Sequence, residues 1–418
     1  MVEGMAKRVR PLPSAPPQQQ TRAADAFQTT LSHLAAKRAT AVSLTDLYRF
    51  GLEPSPDQCL RNAQFIYHEL PIRVAQRVAD LKALPFGLSE HPLVRDGIRH
   101  YENTVYGLVT TPKPNTVEAE HEYACLTASL LTNHRTIPMA IARAIYELRT
   151  ARQLSSAEQA LLNRRLDDFF MARISMRFLI EHYIASHACH PGFSGVIATE
   201  CCPLEIVTQA RADVEAMAVR QLGVCPAIEV LGNPKRAFRY VPSHLYFIAS
   251  ELLKNSVRAT VESAAAAGTP SHKLPPVRAI LVCGGEDDAF ESVSIKIEDQ
   301  GMGIKRSDMD KVFSYTYTTA PHPENAVFPN ATASLSKAGD MRQEKSDPMA
   351  GLGIGLPLSR LYSRYFGGDL EIISMEKYGT DAYLMLPHFG DDVEILPDPI
   401  AQSPSQQGSC PKGAQYKA

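Results

Sequence analysis

The chain has 418 residues, 44% of them hydrophobic and 21% charged, and a formal net charge of −2. This is the length of two or three domains and the balance of an ordinary globular protein. Near-neutral charge leaves no electrostatic footprint for nucleic acid or an anionic membrane, and no apolar run approaches the roughly 18 residues of a spanning helix.

Residues 1–24 carry Lys7, Arg8, Arg10 and Arg22 against one acid, Glu3, amid proline and glutamine. That composition suits a mitochondrial presequence and a plain disordered leader equally. Ile72, Ala75, Val78, Ala79 and Leu81 recur at helical spacing after Pro71, which suits a first helical turn. Further apolar periods over 117–131, 138–148 and 161–184 complete an antiparallel four-helix bundle, assigned to residues 25–189. A break follows at His190-Pro191-Gly192.

Beyond it the pattern mixes. Helices are expected over 203–221 and 243–262, and strands over 227–231, 237–241, 278–283, 292–298, 369–374 and 380–386. Residues 190–390 therefore read as an α/β sandwich, a mixed sheet with helices on one face. Residues 391–418, rich in Pro, Ser, Gln and Asp, read as a disordered tail. The eight cysteines are scattered without a C-x-x-C pair, which favours core thiols in a reducing compartment.

Three motifs carry chemistry. In ELLKNSVRAT (251–260), Glu251, Asn255 and Arg258 fall on one helical face, and His244 and Glu262 on the same stripe. Alone, such a stripe also describes a solvated amphipathic helix. EDQGMGI (298–304) sets Asp299 at a strand end, where its carboxylate can accept from an exocyclic amine such as adenine's. Gly301 and Gly303 would then admit a ligand where a Cβ would collide, although D-x-G-x-G alone often marks a turn. GLGIGLP (351–357) opens a helix with free backbone N–H groups and a positive dipole end, a phosphate geometry. No strand runs into these glycines and no Gly-Lys-Ser/Thr follows, so Rossmann and Walker A readings fail. Thr380 begins a late strand and is a further adenine candidate.

In this order the three pieces resemble the N, G1 and G2 boxes of the Bergerat-fold (GHKL) superfamily of gyrase, heat-shock chaperone ATPases, histidine kinases and mitochondrial protein kinases. RTIPMAIARAIYEL (135–148), LDDFFMARISMRFLIEHY (166–183), VPSHLYFIASELLKNSVRAT (241–260) and FSYTYTTAP (313–321) extend the resemblance over about 60–390. They point to the pyruvate and branched-chain α-ketoacid dehydrogenase kinases, and FGLSEHP, VPSHLY and FSYTYTTAP lean to the pyruvate branch.

The resemblance implies an ATP- and Mg²⁺-dependent serine kinase of the mitochondrial matrix. It would phosphorylate and inactivate the decarboxylase component of pyruvate dehydrogenase, dock on the lipoyl-bearing acyltransferase core and form homodimers. Glu251 would be the general base, Asn255 the Mg²⁺ ligand, and Asp299 and Thr380 the adenine contacts. Arg258, Gly301, Gly303, Thr318, Thr319, Gly351, Leu352, Gly353, Ile354, Gly355 and Leu356 would complete the nucleotide site. The stretch 320–350 would be an ATP lid; Lys337, Arg342 and Lys345 are phosphate contacts or plain loop charges. Arg177, one turn from Arg173, matches the family's carboxylate-binding position for an α-ketoacid regulator, with His134 beside it, or else serves a bundle salt bridge. Two departures stand out. Phe247 replaces the histidine one turn before the catalytic glutamate, and the chain has no tryptophan, so the family's C-terminal Asp-Trp element is missing. Alternatives are a branched-chain dehydrogenase kinase, a histidine autokinase using His68 ahead of Glu69-Leu70-Pro71, which resembles an H-E-L-x-x-P acceptor box, a non-catalytic scaffold, or a chaperone-like ATPase.

Overall fold

The computed structural model describes residues 17–400, apart from 53–54, 189, 234–235, 285–291, 316, 318–352 and 388–392. The N-terminal region is helical throughout. Its helices are α1 (Pro17–Ala36), α2 (Leu44–Leu52), α3 (Pro56–Lys82), α4 (Pro92–Thr110), α5 (Val117–Asn133), α6 (Ile137–Ala151) and α7 (Ser156–Ala185). Helix α3 packs against α1, α4, α5 and α7, and these contacts form the bundle. No described helix is long and apolar enough to cross a membrane.

Local signals explain most boundaries. Helix α7 starts at a capping box: Ser155 accepts from Glu158 N and the Glu158 carboxylate accepts from Ser155 N. Helix α3 starts at Ser55, whose Oγ accepts from Gln58 N at 3.2 Å. Pro71, expected in a first turn, therefore lies inside α3. Its ring removes one i→i−4 bond, and burial of Leu70, Val74, Ala75, Val78 and Leu81 outweighs that loss. The expected four helices omitted α1, α2 and α4, although α4 buries Val94, Ile98, Tyr101, Val105 and Leu108 on one stripe.

The C-terminal region holds β1 (Phe193–Ser194), β2 (Ile197–Cys201), α8 (Pro203–Leu222), β3 (Ile228–Leu231), β4 (Phe238–Tyr240) and α9 (Pro242–Ala266). Then come β5 (Val277–Cys283), β6 (Ser292–Asp299), α10 (Gly355–Arg364), β7 (Asp369–Met375) and β8 (Gly379–Pro387). The main sheet has the order β3-β5-β6-β8-β7, parallel only between β3 and β5. Strand β4 stands outside this sheet and pairs with β2, which pairs in turn with the short β1. Helices α8, α9 and α10 contact the main sheet, and Val293, Ile295 and Ile297 of β6 are buried. On the intervening positions Lys296 pairs with Glu298 at 2.6 Å and Asp381 at 3.0 Å. Beyond this polar ladder Ile373, Met375 and Met385 are exposed.

Both termini depart from expectation. Helix α1 begins inside the segment assigned to the leader, and residues 1–16 lie outside the described residues. The tail expected from 391 is held at 393–400: Val393 bridges Ser43 and Glu394 is buried. Residues 401–418 lie outside the described part. The Glu394 carboxylate accepts from Arg73 Nη2 at 2.6 Å, Val42 N at 3.1 Å and Tyr365 OH at 2.6 Å. It thus joins α3, the segment before α2, and the residue after α10. A buried guanidinium that loses its carboxylate remains charged in a low dielectric. Glu394→Ala is therefore expected to cost about 3 kcal/mol of stability, read from urea unfolding; a loss below about 0.5 kcal/mol would contradict the network's weight.

Candidate active site

Helix α9 has two unlike sides. Leu245, Ile248, Leu253 and Val257 are buried in the core, while Glu251, Asn255, Arg258 and Glu262 line a cavity of about 480 Å³. The same cavity is lined by Asp299, Gly303, Gly353, Gly355, Leu356 and Thr380. All three motifs therefore converge, although about a hundred residues separate Glu251 from Gly353.

Asp299 ends β6 and pairs in register with Thr380 of β8. Its Oδ1 accepts from Gly301 N at 3.0 Å, and Ser256 and the Thr380 backbone also bond it. Burial raises its carboxyl above the ordinary aspartate range, partly offset by these hydrogen bonds. Thr380 Oγ1 lies 2.9 Å from Ser374 Oγ. Helix α10 begins at Gly355 with Ile354 as its N-cap, so its amide end opens at the cavity through Gly353, Gly355 and Leu356.

The glycines make room chiefly for protein. Gly303 has φ +62°, and a Cβ there would strike the Met375 carbonyl. A Cβ on Gly355 would run into the Glu251 carboxylate, and one on Gly301 would lie 2.8 Å from Ala259 Cβ. Gly301 and Gly303 thus let α9 and β7 approach the turn after β6, and Gly303 also lines the cavity. Gly301 and Ile354 do not line the cavity; Ile354 is buried in the core. Thr318, Thr319, Gly351, Leu352, Lys337, Arg342, Lys345 and the whole of the expected lid lie outside the described residues. Met302, Lys305, Asp308, Val312, Tyr317 and Ile372 join the lining without having been named from sequence. Only Met302 neighbours a motif glycine, and the others come close through folding.

Glu251 Oε1 accepts from Lys254 Nζ, and Lys254 is buried. Phe247, at the position of the family's histidine, packs on Tyr362 at 5.1 Å between centroids. His244, placed on the Glu251 stripe by helical spacing, does not line the cavity. Its ring is buried 4.7 Å from Tyr362 and 5.7 Å from Phe178, because that end of α9 meets α7 and α10 rather than solvent. His68 is exposed on α3 and likewise does not line the cavity.

In the bundle, Arg173 Nη2 donates to the His134 carbonyl at 2.8 Å. Arg177 donates to Leu131 O at 3.2 Å and to Glu181 Oε1 at 2.8 Å. Burial and the two guanidiniums hold His134 well below the usual imidazole range. Arg173 Nη1 and the Tyr101 hydroxyl find no hydrogen-bond partner among the described residues.

A sheet with α9 across it, an aspartate at a strand end and a glycine-opened α10 define a Bergerat-type ATPase domain. Residues 240–389 match the family model described as histidine kinase-, DNA gyrase B- and HSP90-like ATPase. Residues 41–198 match the one described as mitochondrial branched-chain alpha-ketoacid dehydrogenase kinase. The mitochondrial [pyruvate dehydrogenase (acetyl-transferring)] kinase of Arabidopsis thaliana is 35% identical, over 86% of this chain and 93% of its own. The Schizosaccharomyces pombe kinase of the same name is 31% identical over 88% and 98%. Isozyme 4 of Mus musculus is 32% identical over 85% and 83%. The chain belongs to the pyruvate dehydrogenase kinase family of mitochondrial protein kinases. It is accordingly an ATP-using phosphotransferase.

Burial lowers the His244 pKa to about 3, whereas an unfolded imidazole protonates near 6.5. The unfolded chain therefore takes up a proton first, and folded stability falls as pH drops from about 6.5 toward 3. His244→Phe is expected to remove about 1.4 kcal/mol per pH unit of that loss, measured as the pH slope of urea unfolding between pH 6 and 4. An unchanged slope would mean that His244 is not held neutral.

Proposed function

We propose that the enzyme transfers the γ-phosphoryl group of ATP to a serine hydroxyl of the decarboxylase component of pyruvate dehydrogenase and so inactivates it. The convergence of Glu251, Asn255, Asp299, Gly353 and Gly355 on one cavity carries this reading, and the printed activity of the relatives supports the acceptor. The exocyclic amine of adenine donates to Asp299, whose remaining lone pairs face the cavity, with Thr380 beside it. The phosphates extend toward the amide end of α10. Arg258 and the cavity-lining Gly353 and Gly355 complete the nucleotide contacts.

The residues present fit Mg²⁺. Asn255 brings a hard amide oxygen to the cavity, one helical turn from Glu251, and would hold Mg²⁺, which takes few protein ligands beside a nucleotide. When bound, the ion would supply charge neutralisation on the phosphates. Glu251 takes the serine proton as the serine oxygen attacks γ-phosphorus and the bond to the β,γ-bridging oxygen breaks, releasing ADP. Lys254 holds the Glu251 carboxylate in place of the family's histidine, and Gly355 leaves space for it.

Partners and place follow the same reading: the mitochondrial matrix, docking on the lipoyl-bearing acyltransferase core, and a homodimer. The exposed Ile373, Met375 and Met385 beside the ionic ladder support a sheet-to-sheet dimer. For an α-ketoacid regulator, Arg173 Nη1 and Tyr101 supply the available donors, since Arg177 already faces Glu181. The branched-chain dehydrogenase remains the second acceptor to test, because the bundle matches that kinase's family model.

Incubation with each purified complex, ATP and Mg²⁺ should place phosphate on serine of the pyruvate enzyme; phosphate only on the kinase's own histidine would reject the reading. Glu251→Gln should lower phosphoryl transfer about 100-fold or more while nucleotide still binds. Because burial raises the Asp299 pKa, nucleotide affinity should fall on acidification at a higher pH than an ordinary aspartate would give. Asp299→Asn should bind weakly and lose that pH dependence; an unaltered pH profile would count against Asp299 as the adenine acceptor.

A further inference from the structure

Val312 and Tyr317 form part of the cavity wall, and the backbone between them is held from the other domain. Tyr315 turns into the bundle and is 0% exposed. Its ring stacks on Phe170 of α7, with centroids 5.4 Å apart and planes at 17°. Its hydroxyl donates to Asp167 Oδ1 of α7 at 2.7 Å. Its carbonyl accepts from Arg149 Nη1 of α6 at 2.8 Å, and Ser314 Oγ accepts from Asn163 Nδ2 of α7 at 2.9 Å.

The turn transmits this anchor over a short distance. Tyr317 N donates to Ser314 O at 3.2 Å, and Ser314 N donates to Lys311 O at 2.8 Å. A shift of the Tyr315 ring therefore moves the backbone that carries Val312 and Tyr317. The phenol ring cannot rotate away cheaply, because its buried hydroxyl and the half-buried Asp167 carboxylate would each lose a partner. Burial already makes Asp167 harder to ionise. On the bundle side the contact continues: Phe170 meets Phe169 at 5.1 Å, Phe169 meets Tyr101 at 6.4 Å, and Tyr101 lies 4.5 Å from His134.

We propose that Tyr315 is a positioning residue for the nucleotide, through which helix α7 of the bundle sets the Val312–Tyr317 wall of the ATP cavity. The inference rests on that cavity being the nucleotide site, which binding of MgATP to the unmodified enzyme tests separately. Tyr315→Phe keeps the stack and removes the hydroxyl. Asp167→Ala removes the acceptor from the other side, and Asp167→Asn retains an acceptor oxygen.

Tyr315→Phe and Asp167→Ala are each expected to raise the Kd and KM for MgATP about fivefold or more, with kcat at saturating ATP within about twofold of the parent. Asp167→Asn should restore most of the affinity. The double variant Tyr315→Phe/Asp167→Ala should bind no worse than the weaker single variant, since both changes break one contact. A merely structural role would lower the melting temperature and the active fraction while leaving Kd alone. If Tyr315→Phe does not fold, the Asp167→Ala and Asp167→Asn pair decides. An unchanged or tighter Kd in a folded variant that lacks the contact, or losses that add in the double variant, overturns the proposal.

Discussion

Helix α9 has to satisfy two demands on one rod: Leu245, Ile248, Leu253 and Val257 must be buried, while Glu251, Asn255 and Arg258 face a cavity. Helical periodicity makes the two compatible, because positions four and seven apart share a side. The apolar side packs on β5, β6 and α8, and this fixes where the polar side points. The end of β6 is then carried to the foot of α9, where Ser256 and Gly301 N bond Asp299. Gly301 and Gly303 allow that close approach, and Gly355 lets α10 begin against Glu251. The cavity is thus the place where a helix, a strand end and a helix start can meet only if three side chains are absent.

Among the described residues two polar joints of different kinds tie the bundle to this domain, alongside the bond from the Ser194 hydroxyl to the Tyr48 carbonyl. At one, Glu394 draws the chain beyond β8 back to Arg73 and Tyr365; Arg73 is further bonded by Glu69 at 3.0 Å. At the other, Tyr315 carries the run-up to the expected lid into α6 and α7. Charged and polar groups this deeply buried hold only when their partners are complete, so both joints resist sliding more than an apolar interface would. The site and the bundle therefore share boundaries that neither region could form alone.

The chemistry was largely legible from sequence because each motif is local. Glu251, Asn255 and Arg258 lie within eight residues, Asp299 is followed at once by its glycines, and Gly353 and Gly355 mark a helix start. The strand positions were equally legible, since period-two burial in β6 and β8 is written directly in residue type. His244 was misplaced because a helical stripe says which residues align and not which end of the stripe meets solvent. Pro71 misled because a proline favours a first turn, yet burial on both sides overrode it. Glu394 was taken for part of a loose tail, since its partner Arg73 lies 321 positions away.

By itself, then, the sequence determined a helical region, a mixed α/β region and most of the motif residues that line the cavity, all of which depend on neighbours within a turn or a strand. Only the tertiary structure decided that the motif glycines spare α9, Met375 and Glu251, that Lys254 bonds Glu251, that His244 is enclosed, and that Tyr315 and Glu394 join the two regions. Those facts rest on contacts between residues tens to hundreds of positions apart, and such contacts leave no periodic trace in a single chain.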